Sequence, residues 1–119
     1  MKKAKLVLTF LFGAVMIFAG VSHFLKPAMF FPFIPDFLPQ AAINYLAGLL
    51  EIAAGISTFI PRFRSLAVLG ILVMMLVFLP LHVIDVFKEN PAIGSHQVAL
   101  VRLPIQFVLI AWAWFIYKK

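Results

Sequence analysis

The chain reads as an all-α membrane protein: a bundle of four transmembrane helices with a proline-rich apolar loop between the first and the second. Three observations predict this. Of the 119 residues, 65% are hydrophobic and only 12% are charged, whereas soluble domains sit nearer half and a quarter. The apolar residues fall into four runs of about 20 residues, each roughly 30 Å of helix and enough to cross a hydrocarbon core. Lysines and arginines gather at alternate ends of those runs, the charge bias that orients membrane helices. A chain this short has room for one domain, residues 1–119.

Helix 1 is expected over about residues 6–25, after the basic start Lys2, Lys3 and Lys5. The stretch from Lys26 to Gln40 holds Pro27, Pro32, Pro35 and Pro39, so no helix crosses it. It also carries Phe30, Phe31, Phe33, Phe37 and Leu38. So apolar a loop lies in the membrane interface or folds back over the bundle as a lid. Helix 2 is expected over about 41–60, closed by the basic turn Pro61-Arg62-Phe63-Arg64. Helix 3 comes next, over about 65–86, with Pro80 inside it. A polar stretch with Asn90-Pro91 and Gly94-Ser95 signals a turn. Helix 4 spans about 98–117, with Pro104 near its first turn.

Four crossings put Lys2, Lys3, Lys5, Arg62, Arg64, Lys118 and Lys119 on one side, with no acidic residue among them. That side is expected to be cytoplasmic, with both termini there and the protein in the cell inner (plasma) membrane. Trp112, Trp114 and Tyr117 suit an aromatic belt at that surface. The net charge of +6 is thereby accounted for as orientation, and nucleic acid is not an expected partner. The absence of cysteine removes thiol redox chemistry, disulfides and thiolate metal sites.

Polar groups within the spans carry the functional information, because ionisable side chains in lipid are costly and face the bundle interior or a wet cavity. On helix 2, Asn44, Gly48, Glu51, Gly55 and Thr58 recur at three- and four-residue steps and share a face. Thr9, Gly13, Met16, Gly20 and His23 form a similar seam on helix 1. Helix 3 adds His82 and Asp85, and helix 4 adds Arg102 and Gln106. Up-and-down threading brings His23, Asn44, His82, Arg102 and Gln106 into the outer half, with Glu51 deepest. The expectation is a polar pocket open to the non-cytoplasmic side, with ligand-binding residues His23, Asn44, Glu51, His82, Arg102 and Gln106 and the proline-rich loop as cover. The competing structural reading makes Glu51 and Arg102 a buried ion pair that fixes packing. In the same reading, His23 and His82 snorkel to the interface.

Catalytic motifs are missing: there is no glycine-rich phosphate loop and no nucleophile elbow. No catalytic residue, metal site or resident cofactor is assigned. Two histidines at similar depth keep a haem open, and the polar pocket keeps a quinone open.

At these residues the chain resembles the DoxX family of small four-helix membrane proteins. The likeness runs through Gly20-Val-Ser-His23-Phe24 with Pro27, Ile34-Pro35, Leu38-Pro39, Tyr45 through Gly55, Pro61-Arg62 and Arg102-Leu-Pro-Ile-Gln106. It covers nearly the whole chain, and Gly48-x-x-Glu51-x-x-x-Gly55 followed by Pro-Arg is its most specific part. Helix 3 departs from it, with Leu79-Pro80-Leu81-His82 where many relatives read Phe-Pro-Ala-Asn. The resemblance implies the four-helix fold and roles as redox-complex subunits, membrane anchors or assembly factors. Two functions are therefore expected to compete. One is binding of an amphipathic small molecule, a quinone or a lipid. The alternative is a non-catalytic subunit or assembly factor of a larger membrane complex, or a homo-oligomer.

Overall fold

A computed structural model describes residues 3–34, 36–87 and 96–118. The expected turn at Asn90-Pro91 and Gly94-Ser95 lies outside the described residues. The architecture is all-helical: α1 Lys3–Leu25, α2 Gln40–Ser57, α3 Arg64–Phe87 and α4 His96–Tyr117. Three segments, Lys3–Leu25, Arg64–Phe87 and Gln97–Tyr117, are long and apolar enough to cross a membrane. The α2 helix is shorter, 18 residues, and carries Gln40, Asn44 and Glu51, which dilute its apolar character. Asn44, Gly48, Glu51 and Gly55 are its buried residues. Its opposite face shows Leu46, Leu49, Leu50 and Ile56 to the outside.

Between α1 and α2 the chain is not an irregular loop. Pro27–Met29 and Phe31–Phe33 form two successive 3-10 turns. Proline ends α1, because it cannot supply the amide that the next α-helical bond needs. The tighter turn needs fewer amides, and Phe30 N and Ile34 N donate to the Pro27 and Phe31 carbonyls at 3.0 Å each. The Gln40 amide, at the start of α2, donates to the carbonyls of Phe31 (3.1 Å) and Ile34 (3.2 Å). That side chain ties the segment to α2.

The α2 helix stops at Ser57 rather than near residue 60: Pro61 has no amide for the Ser57 carbonyl, and the chain ahead of it tightens, with Phe59 N and Ile60 N donating to the Ile56 (3.0 Å) and Ser57 (3.1 Å) carbonyls. The Thr58 hydroxyl folds back on the Gly55 carbonyl at 2.7 Å, and Arg64 Nε donates to the Thr58 carbonyl at 2.8 Å. A cationic donor at a helix C-terminus satisfies carbonyls that the helix leaves open.

The helices pack as two antiparallel hairpins, α1 with α2 and α3 with α4, and the two hairpins touch each other more sparingly. Within the first hairpin the backbones come very close. A methyl group at Gly20 would stand 2.6 Å from the Gly48 carbonyl oxygen, and one at Gly55 would stand 2.6 Å from that of Gly13. Only glycine permits this approach. The Cα hydrogens there point at facing carbonyls, a weak attraction that repeats along the seam. The dry core joins α1 to α3 and α4 through Phe12, Met16, Val68, Ile71, Leu72, Met75, Ala113 and Ile116. It lies toward the end that holds Arg64 and Lys118. Phe12 packs against Trp112 with ring centroids 4.6 Å apart.

Gly20→Val should therefore force the first hairpin apart and lower stability by about 1–3 kcal/mol or more, the usual cost of overpacking. Gly70 has nothing within 4 Å of a would-be methyl group. Gly70→Ala should be neutral or stabilising by up to about 1 kcal/mol through helix propensity. Thermal unfolding of the two variants in detergent compares them directly.

Candidate functional site

Opposite the dry core, a cavity of about 450 Å³ opens between the helices. This is the size of a small-molecule site. All four helices and the 3-10 segment line it. Phe12, Val15, Met16 and Ala19 come from α1, and Ile43 and Ala47 from α2. Met75, Phe78 and Leu81 come from α3, and Leu109 from α4. The polar members are His23, Asn44, Glu51, His82 and Arg102. Five of the six residues expected to bind a ligand thus share one cavity.

Gln106 is not among its lining residues. Its side chain is fully buried, and its amide donates to the Met75 carbonyl at 2.7 Å, tying α4 to α3.

The Glu51 carboxylate does not pair with Arg102. Its partner is His23, whose Nε2 lies 2.9 Å from Glu51 Oε1. His23 Nδ1 lies 2.6 Å from Asn44 Oδ1. Asn44 and Glu51 are two turns apart on one face of α2, roughly 10 Å along the axis. The imidazole bridges that gap. It does so because the glycine seam holds α1 directly against this face, so that Glu51 meets α1 before it can reach α4.

The hydrogen bonds settle most of the proton positions. Asn44 Nδ2 donates to the His23 backbone carbonyl at 2.9 Å, and a carbonyl can only accept. Asn44 Oδ1 therefore faces the ring, and His23 Nδ1 must be the donor. One further proton lies between Nε2 and Oε1. Placed on either atom, it leaves the His23–Glu51 pair with no net charge. Such a pair is buried without an unbalanced desolvation cost. An axial haem ligand needs a free imidazole nitrogen, and in this arrangement His23 has none to offer. Among the described residues no group of three or more histidine or carboxylate side chains stands together as metal ligands.

The 3-10 segment covers both histidines. Phe30 stacks on His23 with centroids 3.8 Å apart and planes 20° apart. Phe33 meets His82 edge-on at 5.4 Å. Proline content alone marks this stretch as a break. Sequence reasoning placed Phe30 and Phe33 in a lid but did not set them against the histidines, and it did not single out Gln40, whose side chain ties the segment down. The signal was there in the three-residue spacing of the two phenylalanines, which 3-10 geometry puts on one side.

Arg102 stands apart. Its Nη1 is buried and has no hydrogen-bond partner, and among the described residues no carboxylate forms an ion pair with it. Arg102 and Asp85 are the charged neighbours of His82. Asp85 is buried and already engaged. The cavity therefore has a charge-neutral polar wall at His23, Asn44 and Glu51, a cationic point at Arg102, and apolar surfaces elsewhere.

Fold and cavity together define a small α-helical membrane protein with an internal, mixed polar and apolar site. A family model described as a domain of unknown function (DUF8561) matches residues 12–117, and the chain belongs to that family. No curated protein and no solved structure matches it.

Breaking the buried pair should be expensive. Glu51→Ala leaves buried His23 Nε2 without its partner and should cost about 3–5 kcal/mol. Glu51→Gln can still donate to Nε2 of a neutral His23 and should cost only about 1 kcal/mol. Unfolding by SDS titration in mixed micelles measures both. Equal losses would show that the charge on Glu51, and not the shared proton, holds the pair together.

Proposed function

We propose that the protein is a four-span membrane protein of the cell inner (plasma) membrane, with both termini cytoplasmic, that binds an amphipathic small molecule, a quinone or a lipid. Support for the fourth span comes from α2 itself. Its polar residues are buried against α1 while leucines and isoleucine face outward, so its low average hydropathy reflects an inward-facing seam. Orientation rests on Lys5, Arg62, Arg64 and Lys118 at one end of the bundle. The DoxX-like sequence pattern agrees with this architecture.

One observation carries the binding reading: a cavity of ligand size whose walls are apolar and whose polar groups converge at the end covered by Phe30 and Phe33. Such a combination holds a molecule by its apolar body and orients it by its head. Protein purified from native membranes in mild detergent should carry a non-protein mass in native mass spectrometry. Ala47→Phe, which fills the cavity from α2, should lose that mass while remaining folded. Wild-type protein that carries no such mass, and takes up none when quinones and lipids are added, would sink the reading.

A second reading, a subunit or assembly factor of a larger membrane complex, is favoured by Phe37 and Phe87. Both are more than 80% exposed at the end of the bundle where the cavity lies. Crosslinking from cysteines placed at these two positions in native membranes should then capture a partner chain. Recovery of the uncrosslinked protein alone speaks against it.

A further inference from the structure

The cavity also says something about the charge of its occupant. A guanidinium within a lipid-embedded bundle is costly unless its charge and its donors are met. The natural counter-ion in this cavity is Glu51, but that carboxylate pairs through Oε1 with His23 at 2.9 Å and not with Arg102. The His23–Glu51 pair is neutral as a unit, and each of the two polar atoms of the Asn44 side chain is bonded to His23. Arg102 lines this cavity, no carboxylate among the described residues pairs with it, and its Nη1 is buried without a hydrogen-bond partner. Its neighbour His82 is engaged by the ring edge of Phe33. The polar end of this cavity thus carries a guanidinium with no carboxylate paired to it, while the opposite walls, Phe12, Phe78 and Leu109 among them, offer only apolar contact.

We infer that the occupant is an anionic amphiphile, an acyl chain ending in a carboxylate or phosphate oxygen, with that oxygen accepting from Arg102. This rests on the reading of the cavity as an amphiphile site and narrows it. A quinone offers a neutral carbonyl, which can accept the same hydrogen bond but leaves the guanidinium charge unbalanced. An anionic oxygen satisfies both, and charge-assisted hydrogen bonds are roughly twice as strong as neutral ones. Arginine suits this role because it stays charged in any surroundings.

The test titrates purified, delipidated protein in detergent with four probes, read by native mass spectrometry: palmitic acid, lysophosphatidic acid, hexadecanol and decylubiquinone. At least one of the two anionic probes should bind about tenfold or more tightly than hexadecanol, which has the same chain as palmitic acid. Palmitic acid ahead of lysophosphatidic acid identifies a carboxylate head, and the reverse order a phosphate. Arg102→Gln should bring the anionic and neutral probes within about threefold of one another, and Arg102→Lys should keep the preference. If hexadecanol or decylubiquinone binds the wild-type protein as tightly as the acids, the inference is overturned and the amphiphile site stands. If none of the four binds, the site reading goes with it. The wild-type comparison decides the matter even if the Arg102→Gln protein does not fold.

Discussion

The approach of α1 to α2 across Gly13, Gly20, Gly48 and Gly55 governs the rest of this structure. In lipid there is little hydrophobic drive to bring helices together, so close packing has to supply the attraction. Facing glycines on both helices let two backbones touch where side chains would otherwise hold them apart. Once they touch, the register of the antiparallel pair is set, and His23 comes to lie along the polar face of α2. Asn44 and Glu51 then close on the imidazole from either side. The carboxylate that would have been free to meet α4 is already occupied. The guanidinium left over on Arg102 is, in this sense, a consequence of four residues that have no side chain at all.

Much of this is legible in the amino-acid order. Apolar runs and proline positions mark the helices to within a few residues. The three- and four-residue recurrence of small and polar residues marks the two faces that meet, because a mostly apolar helix in lipid has to turn such a stripe inward. Five of the six candidate residues are recognisable as one group by their depth along antiparallel helices. Partner choice is not legible. Glu51 and Arg102 are opposite charges on inward-facing stripes, and nothing in their spacing says that an imidazole on α1 intervenes. The direction of Gln106 is equally hidden, since it answers to a main-chain carbonyl on another helix. Proline tells where α1 ends, but not that two 3-10 turns replace it with Phe30 and Phe33 facing the histidines.

The bundle is also unequal along its length. Toward the end with Arg64 and Lys118, aliphatic and aromatic side chains fill the interior. Toward the other end the interior is divided between a hydrogen-bonded wall and open volume. The two ends meet at Phe12, Met16 and Met75, which belong to both the packed core and the cavity lining. Unbranched methionines adapt to such a boundary better than β-branched residues, because three rotatable bonds let them fill an irregular edge.

The hairpin arrangement gives the cavity an unusual ownership. The α1–α2 hairpin is held together by its glycines and by the His23 bridge, and the α3–α4 hairpin by its own contacts, but the cavity needs lining from both. Neither half contains it. A molecule lodged there would touch both hairpins in addition to the dry core that joins them, and its binding free energy would add to the docking of one hairpin on the other. With the proposed occupant in place, occupancy and hairpin docking would be linked equilibria, and the occupant would act as a clasp.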